Sequence, residues 1–409
     1  ASGAGVSQAT NGAILNWPPG GSSITWTGAT STDWFTGSNW SGGVVPAVSD
    51  TALIFPGPPG PVLTAGALVG ALNVQPSAVL DLNAFVIVVN QSVDNQGVIT
   101  SVTNGGLALV GTGSVFPGVF NTDISVNGTY NLVGGVTAAG NFSVANGFLD
   151  LNGNTLSAST FATLGTGVVQ MTNPLDSLLV GTIAIFQGGS TVGLLTDGVL
   201  SVGGDFFQDA TNSTTSFSPS GKHKTVLTAQ SAASIIFFSP GLLSGGSHFQ
   251  VLDVSQATGG YSLNVNSFAD SLISTSAAVT LSGGNSLTVR RAQVSGLTLD
   301  DVPLILDEQG TIGAENLSNI TFQGFPTTGA QVLTISGPGS NVGLRPAFGS
   351  TNLNFPNLPT GAGNLYVKLT STNAEAFIIT MTGSNQSPQV GGNGPALSDP
   401  PNQTTVNGA

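Results

Sequence analysis

An all-β chain wound into a solenoid is what three features of this sequence predict. Only 6% of its 409 residues are charged while 40% are hydrophobic, so there is apolar surface for a large core and little charge with which to dress helices. Its 58 glycines, with Asn and Pro, punctuate short segments in which Val, Leu, Ile and Phe alternate with Ser, Thr, Asn and Asp. A period of two marks strands with one buried and one wet face. Finally, the block Leu80-Asp-Leu-Asn83 returns as Leu149-Asp-Leu-Asn152. The offset between the two copies predicts about three turns of roughly 20 to 25 residues each. One strand-and-corner unit of this size cannot enclose its apolar face alone. Stacked units bury a continuous column and satisfy one another's backbone groups.

The elements follow in order. Residues 1–22 are polar and Gly-rich, end in Trp17-Pro-Pro-Gly-Gly21, and are predicted to run extended. Residues 23–62 form a Trp-rich cap closed by the breaker run Pro56-Gly-Pro-Pro-Gly-Pro61. Residues 63–325 are the solenoid body, with further strand-and-corner units at Phe120–Gly128 and Gly198–Phe206. Residues 326–383 are predicted to be a terminal β-element in which a hairpin joins Leu365–Leu369 to Ala376–Met381. Residues 384–409, rich in Gly, Pro, Asn and Ser, read as a flexible or partner-binding tail.

Charge narrows the function. Six basic residues face nineteen acidic ones, for a formal net charge of -13, and no basic residue precedes Lys222. Nucleic acid and anionic membrane surfaces both require a basic face, so neither is an expected partner. With no cysteine, disulfides and thiolate metal sites are excluded. Apolar runs such as Ala84–Val89 and Ile235–Phe238 are of strand length, far short of a membrane-spanning helix. The chain opens at Ala1 without a basic leader and reads as a mature exported form whose signal peptide has been removed. The expected location is extracellular or at the cell surface.

Three blocks carry a family resemblance. Trp26-Thr-Gly … Asp33-Trp34 … Asn39-Trp40 … Pro46 … Asp50 resembles the opening of autotransporter-passenger-like and adhesin-like β-helical repeats of exported bacterial proteins. Gly221-Lys-His-Lys-Thr-Val-Leu227 with Ile235–Phe238 and Ser247–Asp253 is similar to a turn of the same proteins, as is Val294–Pro303 with Ile320–Phe325. The resemblance implies a right-handed parallel β-helix with a structural, adhesive or filament-forming role, and implies no activity.

Candidate sites are few. All four tryptophans, Trp17, Trp26, Trp34 and Trp40, fall in the first forty residues. They could stack on a glycan, or plug the open end of the first turn; the plug is preferred because solenoids need capping ends. The carboxylate pairs Asp300-Asp301 and Asp307-Glu308 are adjacent, so strand alternation points their members apart and neither pair makes a glycosidase couple. Arg290-Arg291, Lys222, Lys224 and the two histidines, His223 and His248, are too sparse for a lyase or zinc centre and are expected to pair with acids. No cofactor, no metal and no catalytic residue is assigned. Asn-x-Ser/Thr sequons, among them Asn39, Asn127, Asn141 and Asn212, are the chance yield of this composition.

The resulting expectation is a non-enzymatic, self-assembling subunit of an extracellular filament or fibre, its partners being copies of itself joined head to tail. The alternatives are a glycan- or surface-binding adhesin and, third, a polysaccharide-degrading β-helix.

Overall fold

Alternation along each segment decides the local structure. In Asp123–Val126 the side chains of Ile124 and Val126 turn inward while Asp123 is exposed, and Thr129–Leu132 repeats the pattern with Tyr130 and Leu132. The computed structural model describes residues 21–237, 246–300 and 302, and the strands at 304–307, 316–317, 320–323, 332–336, 351–354, 366–370, 379–382 and 389–391. The chain is nearly all β, a solenoid of about 12 turns built from parallel strands, with no α-helix among the described residues.

Each early turn visits three faces. Ala71–Val74 lies on the first face, Val79–Asp81 on the second and Val86–Val89 on the third, and Val93–Asn95 returns to the first. Strands stack on their own kind in the next turn. On the first face Thr51 pairs with Ala71, Leu72 with Val93, Thr112 with Thr129, Thr129 with Phe148 and Phe148 with Val168. Later turns are longer, as the pairing of Val199 with Lys224 and of Lys224 with Val251 shows. From Val136–Val144 onward one long strand often spans the second and third faces, bending at a register shift. Regular strands on the first face end, among the described residues, at Val168–Gln170.

Register turns the alternation into a core. Ile87, Leu107, Ile124, Phe142, Phe161, Ala184, Phe206, Ile235 and Leu263 are successive partners on the third face. Each is buried, so one apolar ladder threads nine turns at the roughly 4.8 Å spacing of paired strands. Phe142 and Phe161 stack with centroids 6.3 Å apart, and Phe186, Phe206, Phe217 and Phe249 form a cluster with spacings of 4.6 to 5.7 Å. Two buried tyrosine hydroxyls are satisfied: Tyr130 donates to the Val89 carbonyl, and Tyr261 to those of Val202 and Gly204. Burial pushes the Tyr130 phenol up to about 12.

The repeated Leu-Asp-Leu-Asn block is a corner. Leu80, Leu82, Leu149 and Leu151 are fully buried. Asp81 accepts the Asn83 backbone N–H at 2.7 Å and Asp150 accepts that of Asn152 at 2.9 Å. Both asparagines sit in the left-handed region, with φ of 50° and 51°. Aspartate thus closes the turn and asparagine tolerates its backbone. The two copies lie on different faces, the second for Val79–Asp81 and the first for Phe148–Asp150. Three turns above Leu80 the registered residue is Ala138, well short of Leu149. The offset between the two blocks therefore measures corner to corner, not turn to turn.

A second expectation is corrected. Tyr366–Thr370 and Ile379–Thr382 do not form a hairpin: the former pairs in parallel with Val332–Ser336 and Gln389–Gly391, the latter with Thr351–Asn354. The stretch between them, 371–378, is longer than a tight hairpin turn uses. Residues 1–20, including Trp17, lie outside the described residues, as do most of 384–409.

Candidate functional site

The Trp-rich region is woven into the first turn. Ser23–Thr25 pairs in parallel with Thr51–Ile54, and Asp33 bridges to Val62 on the second face. Between them two single 3-10 turns, Gly37–Asn39 and Ser41–Gly43, fold the chain back. Asn39 holds this fold together: its side-chain carbonyl accepts the N–H groups of Thr30 and Ser31, and its amide donates to the Ser31 hydroxyl and the Asp33 carbonyl. With both ends of its side chain engaged and the residue fully buried, Asn39 is not an accessible sequon.

The structure brings Trp26, Trp34 and Trp40 together. Trp40 meets Trp26 edge to face at 5.0 Å and Trp34 at 4.7 Å. Trp40 Nε1 donates to the Trp34 carbonyl at 2.7 Å, and Trp26 Nε1 to the Pro59 carbonyl at 2.9 Å. All three rings are at most 2% exposed and belong to the same apolar cluster as Ile24, Ile54 and Leu63. Their polar handles point to backbone and their faces to each other. Outside them, Phe35, Val44, Val48 and Phe55 remain exposed.

Two of the scarce cations, Lys224 and Arg290, are seen paired with acids. Lys224 Nζ lies 2.5 Å from Asp253 Oδ2 on the next turn, and Arg290 Nη1 3.2 Å from Asp270 Oδ1. Gln250 also donates to Asp270, so Gln250, Asp270 and Arg290 form an outward polar ladder over three turns. The lysine beside Asp253, with the hydroxyl and N–H of Ser255, holds its carboxyl below the usual range against the opposing effect of burial. Of the carboxylate pairs, Asp300 ends the strand Leu287–Asp300 and Asp307 ends Leu304–Asp307, while Asp301 and Glu308 lie outside the described residues. Among the described residues no three His, Cys, Asp or Glu side chains converge as metal ligands.

His223 and His248 sit on neighbouring turns beside Phe217. The His223 ring meets Phe217 edge to face at 6.0 Å, and the His248 backbone N–H donates to the Phe217 carbonyl. His248 Nδ1 is 2.7 Å from the Gly246 carbonyl, so that nitrogen carries the proton. His223 is fully buried with no hydrogen-bond partner on either ring nitrogen. Burial lowers its pKa to about 4, with Asp197 opposing weakly.

Two groups escaped the sequence reading. Asp94 is only 3% exposed on the first face, where Gln96 donates to both carboxylate oxygens and Asn73, its registered neighbour, to one. Burial raises its pKa. The signal was present in Asn73-x-Gln75 and Asp94-x-Gln96, one turn apart. Asp176 is likewise buried and raised, and accepts the N–H groups of Gly153 and Asn173. Both are structural bonds of corners and ladders. A shallow, open depression of about 410 Å³ lies where the second and third faces meet, lined by Ala138, Ser157, Leu179, Gly181 and Ser201 among others, with no titratable side chain.

No known family model, curated protein or solved structure matches the chain. The architecture is compatible with β-helical repeat proteins. Among the described residues no helix is long and apolar enough to cross a membrane.

Proposed function

We propose that this chain is a non-enzymatic structural protein of the cell exterior, a subunit that assembles end to end into a filament or fibre. The observation that carries the reading is the unbroken ladder from Ile87 to Leu263 in one parallel register. A parallel stack presents unlike strand edges at its two ends. Unlike ends meeting head to tail give open-ended growth unless a rotation closes the ring. Supporting it, Lys224 and Arg290 pair internally with acids, as ties between turns.

Electron microscopy across a concentration range tests this. End-joined rods or fibres are expected; discrete single particles at every concentration overturn it. The adhesive alternative through Trp26, Trp34 and Trp40 requires a glycan to reach rings that are enclosed. A glycan array on the intact chain decides that point, since binding abolished by Trp26→Phe with the fold retained would favour adhesion. A polysaccharide-degrading role predicts turnover on a polysaccharide panel, and none is expected.

A further inference from the structure

The segment between Asp205–Gln208 on the third face and Lys224–Leu227 on the second is, like 187–198 before it, a crossing with no regular strand on the first face, and it lacks even a bridge such as that of Leu195 to Met171. Residues 209–223 pass the first face without forming a strand. They are held by scattered bonds: Thr191 N–H to the Thr215 carbonyl, Ser218 N–H to the Thr191 hydroxyl, Phe217 N–H to the Ser247 hydroxyl and Lys222 N–H to the Thr196 carbonyl. Phe217 is the segment's aromatic anchor in the core, packed on Phe186, Phe206 and Phe249. At the segment's end, His223 points inward against Phe217, with neither ring nitrogen partnered. Two positions on, the inward Thr225 hydroxyl is also without a partner. A neutral imidazole tolerates such a place at some cost, whereas an imidazolium there is shut off from bulk solvent and finds no protein acceptor for either N–H.

We propose that His223 is an acid-operated latch: on taking up a proton it releases segment 209–223 from the column and uncovers Phe217, while the paired strands on either side stay stacked. The charged and titratable groups around it are few. Asp197, in the turn ahead of Val199–Val202, attracts the imidazolium without bonding it. Lys222 and Lys224 flank His223 on its own segment, and Lys224 is occupied by Asp253. His248 lies beyond Phe217 with its Nδ1 committed to Gly246. The sign follows from burial: a closed-state pKa near 4 lies below the ordinary histidine value of 6.5, so opening is favoured as pH falls from the upper value to the lower. The interval between those two values corresponds to about a 300-fold shift in the open-to-closed ratio. Opening is local because a stack of turns couples mainly through nearest neighbours, and this segment contributes no ladder strand.

Hydrogen exchange with peptide-level mass spectrometry on the intact chain, from pH 7.5 to 4 and corrected for intrinsic rates, reads the latch. Peptides covering 209–223 should lose up to about 150-fold in protection across that range, the closed state being itself half protonated at pH 4, while Phe142–Phe186 holds. His223→Leu should abolish the pH-dependent loss, and His248→Gln should leave it intact. An equal loss in His223→Leu, no loss in the native chain, or a loss shared equally by all turns would overturn the proposal. Should His223→Leu not fold, the native chain's profile alone decides between a confined and a uniform loss.

Discussion

Phe206→Ala gives the sharpest test of how this column is held. The ring is fully buried, stands between Ala184 and Ile235 in the third-face ladder, and touches Phe186 at 5.7 Å, Phe217 at 4.8 Å and Phe249 at 4.9 Å. Truncating a buried phenylalanine costs about 3–5 kcal/mol in lost transfer energy and residual cavity. With three aromatic neighbours left facing a void, the upper part of that range applies. In a stack coupled through nearest neighbours the loss should stay near the turns between Ala184 and Leu263 and reach the first turns only weakly. The tryptophans make this measurable, because all four lie in the first forty residues and report that end alone. Urea unfolding followed by circular dichroism senses the whole chain, and tryptophan fluorescence senses the cap. Phe206→Ala should move the dichroism transition to lower urea by the equivalent of about 3–5 kcal/mol, while the fluorescence midpoint moves by less than about 1 kcal/mol. Equal displacement of both transitions, or a change below about 1 kcal/mol in dichroism, refutes the column as described.

Three further outcomes are expected. Trp40→Phe keeps apolar bulk but leaves the buried Trp34 carbonyl without its 2.7 Å donor, so the fluorescence midpoint should fall by about 1–3 kcal/mol while the whole-chain dichroism transition moves by less. Asn152→Ala places a Cβ-restricted residue at a φ of 51° and should cost about 1–2 kcal/mol in thermal unfolding, whereas Asn152→Gly should cost little of that. Asp94→Asn should stabilise the chain at neutral pH. Burial raises the folded-state carboxyl pKa, so its ionised form is penalised above that pKa and the penalty disappears as pH falls through it. The gain in denaturation midpoint should be present at pH 7 and vanish by about pH 3.5, below the unfolded aspartate value.

The all-β solenoid was legible because period-two alternation survives in nearly every turn, and burial follows it residue by residue in stretches such as Asp123–Val126. Alternation says which residues face inward but not which strand lies alongside. For that reason a hairpin was expected at 365–381 where the chain instead continues in parallel. The Leu-Asp-Leu-Asn recurrence was visible, yet corner chemistry is the same on any face, so the copies at 80 and 149 misstate the turn length. The grouping of Trp26, Trp34 and Trp40 was legible from composition; that Asn39 ties their loop through four hydrogen bonds was not, since those partners are brought in by the fold. His223 was expected, with Lys222 and Lys224, to pair with an acid, although alternation places 223, 225 and 227 inward.

Stacking of successive turns in one parallel register holds the column together, and a cysteine-free chain allows it to be probed cleanly. Thr160 and Thr182 lie on adjacent turns, with hydroxyl oxygens 3.1 Å from each other. Thr160→Cys with Thr182→Cys should form a disulfide under mild oxidation, read by mass spectrometry of non-reduced peptides, because neighbouring strands place the two Cα atoms within bridging distance. Thr129→Cys with Thr182→Cys, on different faces, should remain as free thiols. A bridge in the second pair and none in the first would contradict the stacked register and the assembly built upon it.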